Sequence, residues 1–139
     1  MAKILLDTIV FDYLIRNKQK ISHKALNMME DLDNDLYLSV VSLWEMSNHV
    51  KVRKFAVKGD FSDFFEGMLS AFNITLLPIT WKAMNYMSQF DYVYKFENLL
   101  HKDTFDRMII AHALTDNMIL VSPDDWFPFY EPLGLKVLW

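Results

Sequence analysis

At 139 residues with 53% hydrophobic and 23% charged side chains, the chain has the size and composition of one folded domain of about 1–139, not of a disordered segment. The absence of cysteine excludes disulfides, thiolate zinc sites and cysteine nucleophiles, so any metal must be held by oxygen or histidine, and oxygen-rich sites favour Mg²⁺ or Mn²⁺. The formal net charge of -4 argues against a uniformly basic nucleic-acid-binding surface, though it leaves room for a local basic patch.

The apolar run after Lys3 is too short for a signal peptide and is closed by Asp7, and no run approaches the ~20 apolar residues of a membrane span. A soluble, cytoplasmic protein is expected. Lys3 to Leu6 reads as a short buried strand, and Ile9 to Ile15 as a helix. Ile21, Ala25, Met28, Met29 and Leu32 recur at helical spacing, and Asp33-Asn34-Asp35 marks a turn. Leu36 to Val41 is rich in branched residues and predicts a second buried strand. Helices are expected over Ser42–Val52, Phe61–Phe72 capped by Asp60, Thr80–Phe90 and Asp103–Thr115. Asn73 to Leu77 and Met118 to Val121 predict further strands, and Lys136 to Leu138 a last edge strand. The aromatic-rich segment Asp91–Leu100 fits either a loop or a helical end. Strands alternating with helices predict an α/β fold, with a parallel sheet covered on both faces. In such sheets ligands bind beyond the carboxyl ends of the strands, where Asp7 and Asp124 fall.

The chemistry-bearing candidates are Asp7, Glu45, Asp103, Asp106 and Asp124. Asp103 and Asp106 stand three positions apart at the start of a helix, where carboxylates crowd each other unless a cation lies between them. Each acid also has an ordinary explanation. Ser42-Leu43-Trp44-Glu45 matches a capping box; Asp103 is a natural N-cap, Asp106 a first-turn acid, Asp124 a turn former and Asp7 a strand terminator. Gathering the acids at one sheet edge shifts the balance, because carboxylates sharing a cleft raise one another's pKa unless a divalent metal neutralises them.

The segments Ile4-Leu5-Leu6-Asp7-Thr8, Leu38-Ser39-Val40-Val41-Ser42-Leu43-Trp44-Glu45, Leu77-Pro78-Ile79-Thr80, His101-Lys102-Asp103-Thr104-Phe105-Asp106-Arg107 and Leu120-Val121-Ser122-Pro123-Asp124 follow one another in an order that resembles PIN-domain ribonucleases of the VapC toxin type, over nearly the whole chain. The resemblance implies a three-layer α/β/α sandwich with a mainly parallel sheet. It also implies Mg²⁺- or Mn²⁺-dependent cleavage of RNA, with tRNA among the substrates to consider. Asp7, Glu45 and Asp106 become metal-site acids, with Asp124 as the fourth and Asp103, Thr8, Ser122 and Arg107 in support. The chain departs from the family pattern at Thr104, where many relatives have proline, and at Ile9, where many have histidine. Ser122-Pro123 replaces a threonine-led turn, which leaves the choice between Asp124 and Asp125 open.

Under this reading Asp7 and Asp106 bind metal directly, Glu45 binds it or orients the attacking water, and Asp124 and Asp103 act through water. Thr8 and Ser122 supply supporting hydroxyls. Lys51, Arg53, Lys54 and Lys58 form a basic cluster that either grips RNA phosphates or complements a helix end. Arg107 adjoins the site or pairs structurally with a carboxylate. His101 reads as a phosphate contact or an ordinary loop residue, His112 as packing or surface, and His23 and His49 show no partner pattern. The resemblance further implies a cognate antitoxin and a homodimer, with Phe61, Phe64, Phe65 and Trp126 as candidate contact surface. The alternatives are an RNA-processing nuclease outside a toxin pair and a silent binding module. A phosphatase-like hydrolase is disfavoured because Asp7-Thr8-Ile9 does not lead into a second aspartate.

Overall fold

The computed structural model describes residues 1–96 and 98–139. Five short strands form a parallel sheet: β1 (Lys3–Leu6), β2 (Asp35–Ser39), β3 (Ile74–Leu77), β6 (Ile119–Val121) and β7 (Lys136–Leu138), in the order β3-β2-β1-β6-β7. Tyr94–Lys95 (β4) and Leu99–Leu100 (β5) make a separate antiparallel ribbon. The helices are α1 (Thr8–Arg16), α2 (His23–Glu30), α3 (Val40–Lys51), α4 (Phe61–Ala71), α5 (Trp81–Met87) and α6 (Thr104–Thr115). Tight 3-10 turns occupy Lys18–Lys20 and Phe127–Leu133.

Ile4, Leu5 and Leu6 are all fully buried because β1 is central and covered on both faces. Ile4 and Leu6 point to one face, where they meet Phe11 and Leu14 of α1, Met29 of α2 and Phe65 of α4. Leu5 points to the other, with Ile109 and Ile110 of α6, Leu120, Phe127 and Tyr130. The alternation of side chains along one strand thus separates the two helical layers of an α/β/α sandwich. The chain proceeds from β1 outward to β2 and β3, then returns to lay β6 on the opposite side of β1. The strand order therefore reverses between β1 and β6, which is where open α/β sheets leave a crevice at their carboxyl edge. Among the described residues, no helix is long and apolar enough to cross a membrane.

Most predicted elements appear within a residue or two of their expected bounds. The second strand stops at Ser39, and Val40 and Val41, expected in the strand, instead open α3, while the helix expected to run to Phe90 ends at Met87. Ser39 caps that helix, its side chain accepting from the Val41 N–H at 3.1 Å. The Ser42/Glu45 capping box therefore does not form: Ser42 is already inside the helix, and Glu45 bonds to a different element. Leu32, expected on the buried face of the second helix, lies beyond its end and is fully exposed. The aromatic segment 91–100 carries the β4–β5 ribbon, neither loop alone nor helix, and its residue 97 lies outside the described residues. Phe65 is buried against Phe11, Phe55 and Phe61, while Phe61 and Phe64 are partly buried against the same cluster, so these rings build core more than they offer a contact face. Trp126 is likewise engaged, stacked on His101 at 4.6 Å between ring centroids.

Candidate metal centre

Six carboxylates reach one cleft of about 410 Å³: Asp7, Asp12, Glu45, Asp103, Asp106 and Asp124 all line it, together with Thr8, Tyr13 and His49. Their convergence follows from the sheet. Leu6 of β1 is in register with Val121 of β6, so the residues that follow each strand, Asp7 and Ser122, emerge side by side at the carboxyl edge. The Asp7 N–H continues the ladder by donating to Val121 O at 3.1 Å. Asp7 also caps α1, with Oδ1 accepting from the Thr8 N–H at 2.7 Å, and Ser122 Oγ donates to Asp7 Oδ2 at 2.7 Å. The same Ser122 oxygen accepts from the Asp124 N–H at 3.0 Å, tying the two acids to one hydroxyl.

Glu45 approaches from α3, whose start lies at the same edge because β2 runs parallel to β1. Thr8 Oγ1 lies 2.7 Å from Glu45 Oε1 and 2.9 Å from Ser42 Oγ. A hydroxyl has one proton, so Thr8 donates to the carboxylate and Ser42 donates to Thr8. Asp106 comes from the first turn of α6. Asp103 caps that helix by accepting from the Asp106 N–H at 3.0 Å, and it lines the cleft as well, so it has both of the roles expected of it. Asp106 Oδ2 lies 3.0 Å from His101 Nε2.

Of the two neighbouring acids 124 and 125, Asp124 is the one turned into the cleft. Its Oδ1 also accepts from the Trp126 N–H at 2.9 Å. Asp125 faces away, paired with Lys95, whose ammonium holds its carboxyl below the usual range. Arg107 does not line the cleft. Its buried guanidinium donates to Phe90 O at 2.9 Å and Asp91 O at 3.3 Å, and it lies 4.1 Å and 4.3 Å from the Phe90 and Tyr92 ring centroids. It clasps the chain after α5 to α6. Arg107→Lys retains the charge but loses the planar two-point fork, and should lower stability by about 1–3 kcal/mol in urea unfolding. An unchanged midpoint would show that the clasp contributes nothing.

Lys51, Arg53, Lys54 and Lys58 are exposed at and beyond the end of α3, and none of them lines the cleft. His49, one helical turn after Glu45 on the same face of α3, does line it, as does Asp12, one turn after Thr8 on α1. The four-residue spacing from Glu45 and from Thr8 was the available signal for both. His112 is fully buried in α6, and burial pushes its pKa down, which keeps it neutral packing. His101 is buried as well, with both ring nitrogens engaged, so it is neither an ordinary loop residue nor exposed to a phosphate.

Burial and mutual repulsion leave the acids short of positive charge. Asp7 is only 6% exposed, and its pKa is pushed up to about 7, chiefly by burial and further by Asp106 and Glu45, against the opposing bond from Ser122. Glu45 and Asp106 are raised too, again first by burial, then by neighbouring carboxylates. Among the described residues, no three acid or imidazole side chains are drawn together tightly enough to enclose an ion. In donor type and charge the acids nonetheless fit a hard divalent cation: every candidate ligand is a carboxylate oxygen, and the repulsion among them is what a bound cation relieves.

Comparison with known proteins agrees with this architecture. The PIN domain family model matches residues 4–130. The fold is similar to a VapBC2 structure from Rickettsia felis, solved bound to a DNA fragment from their promoter, at 22% identity over 98% of this chain and 97% of that one, with a TM-score of 0.69. It is also similar to VapBC-1 from nontypeable Haemophilus influenzae, at 17% identity over 98% and 96% of the two chains and a TM-score of 0.65. VapBC-5 from Mycobacterium tuberculosis, a member of the VapBC family of toxin-antitoxin systems, has 19% identity over 99% and 98% and a TM-score of 0.62. At these identities the structures share a fold, and no curated protein matches the chain. The family model spans all of the strands that build the cleft, from β1 through β6, and the chain belongs to the PIN-domain family.

Proposed function

We propose that this chain is a metal-dependent endoribonuclease and the toxin of a toxin–antitoxin pair. The observation that carries the nuclease reading is the single cleft lined by Asp7, Glu45, Asp106 and Asp124, with Asp103 at its rim. The toxin reading is supported by membership of the PIN family and by the fold likeness to VapBC proteins. An antitoxin would be the natural partner, and a homodimer is part of the same reading.

Asp7, Asp106 and Glu45 would hold Mg²⁺ or Mn²⁺, and Asp124 would complete the set directly or through water. When bound, the cation supplies positive charge to the scissile phosphate and acidifies water at the site. The protein's own part is orientation. Ser122 holds Asp7 and the backbone of Asp124 in one frame, and Thr8 holds Glu45. Asp103 fixes the first turn of α6, from which Asp106 projects. The exposed Lys51, Arg53, Lys54 and Lys58, which follow His49 along the chain, would bind the RNA backbone by charge without reading sequence.

The direct test is incubation of the purified protein with single-stranded RNA, tRNA and duplex DNA in Mg²⁺, Mn²⁺ or EDTA. RNA cleavage that requires the cation and spares DNA is expected. Cleavage undiminished in EDTA, or a preference for DNA, contradicts the proposal.

A further inference from the structure

Each of the three central acids has a partner that aims it: Ser122 for Asp7, Thr8 for Glu45 and His101 for Asp106. The third differs in kind. His101 lies just before α6 and is only 4% exposed. Its ring stacks on Trp126 at an interplanar angle of 14°, and its backbone N–H donates to Val93 O at 2.9 Å. Nδ1 lies 2.7 Å from the hydroxyl of Tyr130, a fully buried ring packed with Leu5, Ile109, Leu120 and Phe127 in the core. Nε2 lies 3.0 Å from Asp106 Oδ2. A hydrogen-bonded line therefore runs from the core, through the imidazole, to an acid of the cleft.

We infer that His101, keyed by Tyr130, is a positioning residue that fixes the rotation of the Asp106 carboxylate and thereby prepares it to bind a divalent cation. Ionised Asp106 can only accept, so Nε2 carries the imidazole proton and donates it. In the neutral ring Nδ1 is then an acceptor, which the Tyr130 O–H satisfies. Tyr130 thus selects the tautomer, and the stack on Trp126 sets the plane of the ring. With Oδ2 held by His101, Oδ1 has no hydrogen-bond donor among the described residues, and Asp106 faces the cleft. A histidine serving only to pack would not end its hydrogen-bond line on a cleft carboxylate.

The inference rests on the metal-centre reading above, and its test separates the two. Mn²⁺ affinity is measured by calorimetry on the whole purified chain, native and with His101→Phe, His101→Gln and Tyr130→Phe. Phenylalanine keeps the stack on Trp126 and removes both ring nitrogens; glutamine can still donate to Asp106 and accept from Tyr130. His101→Phe should weaken Mn²⁺ binding about 10- to 100-fold, Tyr130→Phe less, and His101→Gln should stay within about 3-fold of native. Nitrogen NMR of the metal-free native protein should show His101 protonated on Nε2 and bare on Nδ1. Metal-free melting confirms that each variant is folded. If the native protein binds no Mn²⁺, the metal-centre reading falls and takes the positioning role with it. If the native protein binds and His101→Phe binds equally well, the metal centre stands and the positioning role is overturned. A ring carrying its proton on Nδ1 overturns it too, whatever the affinities.

Discussion

Asp7→Asn is expected to make the metal-free protein more stable, by an amount that grows with pH. The Asp7 carboxyl has a folded pKa of about 7 against an ordinary value of 3.8, with burial as the main cause. Because the raised group is an acid, the folded state binds more protons than the unfolded state between these values. Stability is therefore lost as pH rises above about 4, and the penalty is complete above about 7. A shift of about three units corresponds to roughly 4 kcal/mol at most, and solvent on the open side of the cleft reduces that to about 2–4 kcal/mol. Asparagine cannot ionise, keeps an oxygen for the Thr8 N–H, and lets the Ser122 hydroxyl rotate to accept. Urea unfolding in EDTA should show the variant ahead by about 2–4 kcal/mol at pH 8 and by under half of that at pH 5. A gap of the same size at both pH values would mean that Asp7 is not a strained buried carboxylate. Millimolar Mn²⁺ should then narrow the gap, because a ligand that binds only the folded native site raises its stability in proportion to the logarithm of concentration. A protein that keeps an ionisable group where it lowers stability is using it for something other than folding.

Asp106→Asn should lower RNA cleavage by about a thousandfold or more, a loss of roughly 4 kcal/mol of transition-state stabilisation. The substitution leaves the fold in place: the cap from Asp103 goes to the backbone N–H of residue 106, not to its side chain. Asp124→Asn should reduce the rate as well. Asp125→Asn, on an exposed side chain paired with Lys95, should leave it within about twofold of native. The last pair addresses the one choice that the turn Ser122-Pro123-Asp124-Asp125 leaves undecided. Cleavage by Asp106→Asn within tenfold of native, with unchanged metal dependence, would remove Asp106 from the proposed machinery. Equal losses in Asp124→Asn and Asp125→Asn would show that the cleft geometry does not govern which acid acts.

Several parts of this structure were readable in advance, each for a local reason. The run Ile4-Leu5-Leu6 is apolar without alternation because β1 is covered on both faces, and that pattern needs no knowledge of its neighbours. Asp60 and Asp103 were legible as caps because a cap acts within three residues of itself. The same local logic misread Glu45. Ser42 and Glu45 have the spacing of a capping box, yet Ser39 takes the cap, and Glu45 turns to Thr8, 37 positions earlier in the chain. Nothing between residues 39 and 45 favours one outcome over the other. The choice depends on α1 and α3 starting from adjacent parallel strands. Arg107 behaves similarly: its position beside Asp106 suggested the cleft, while its guanidinium is committed to two carbonyls 16 and 17 positions away.

The sequence by itself determined the elements, the layered α/β class and the acids available for chemistry, because periodicity, capping and turn formation are interactions over a few residues. Only the tertiary structure decided which of those acids share a cleft and what holds each one. That depends on β6 lying beside β1, which brings Ser122 to Asp7 across 115 positions, and on Tyr130 reaching back 29 positions to His101. Such contacts form because burying both faces of a parallel sheet forces distant strand ends to one edge, and no short window of sequence records that.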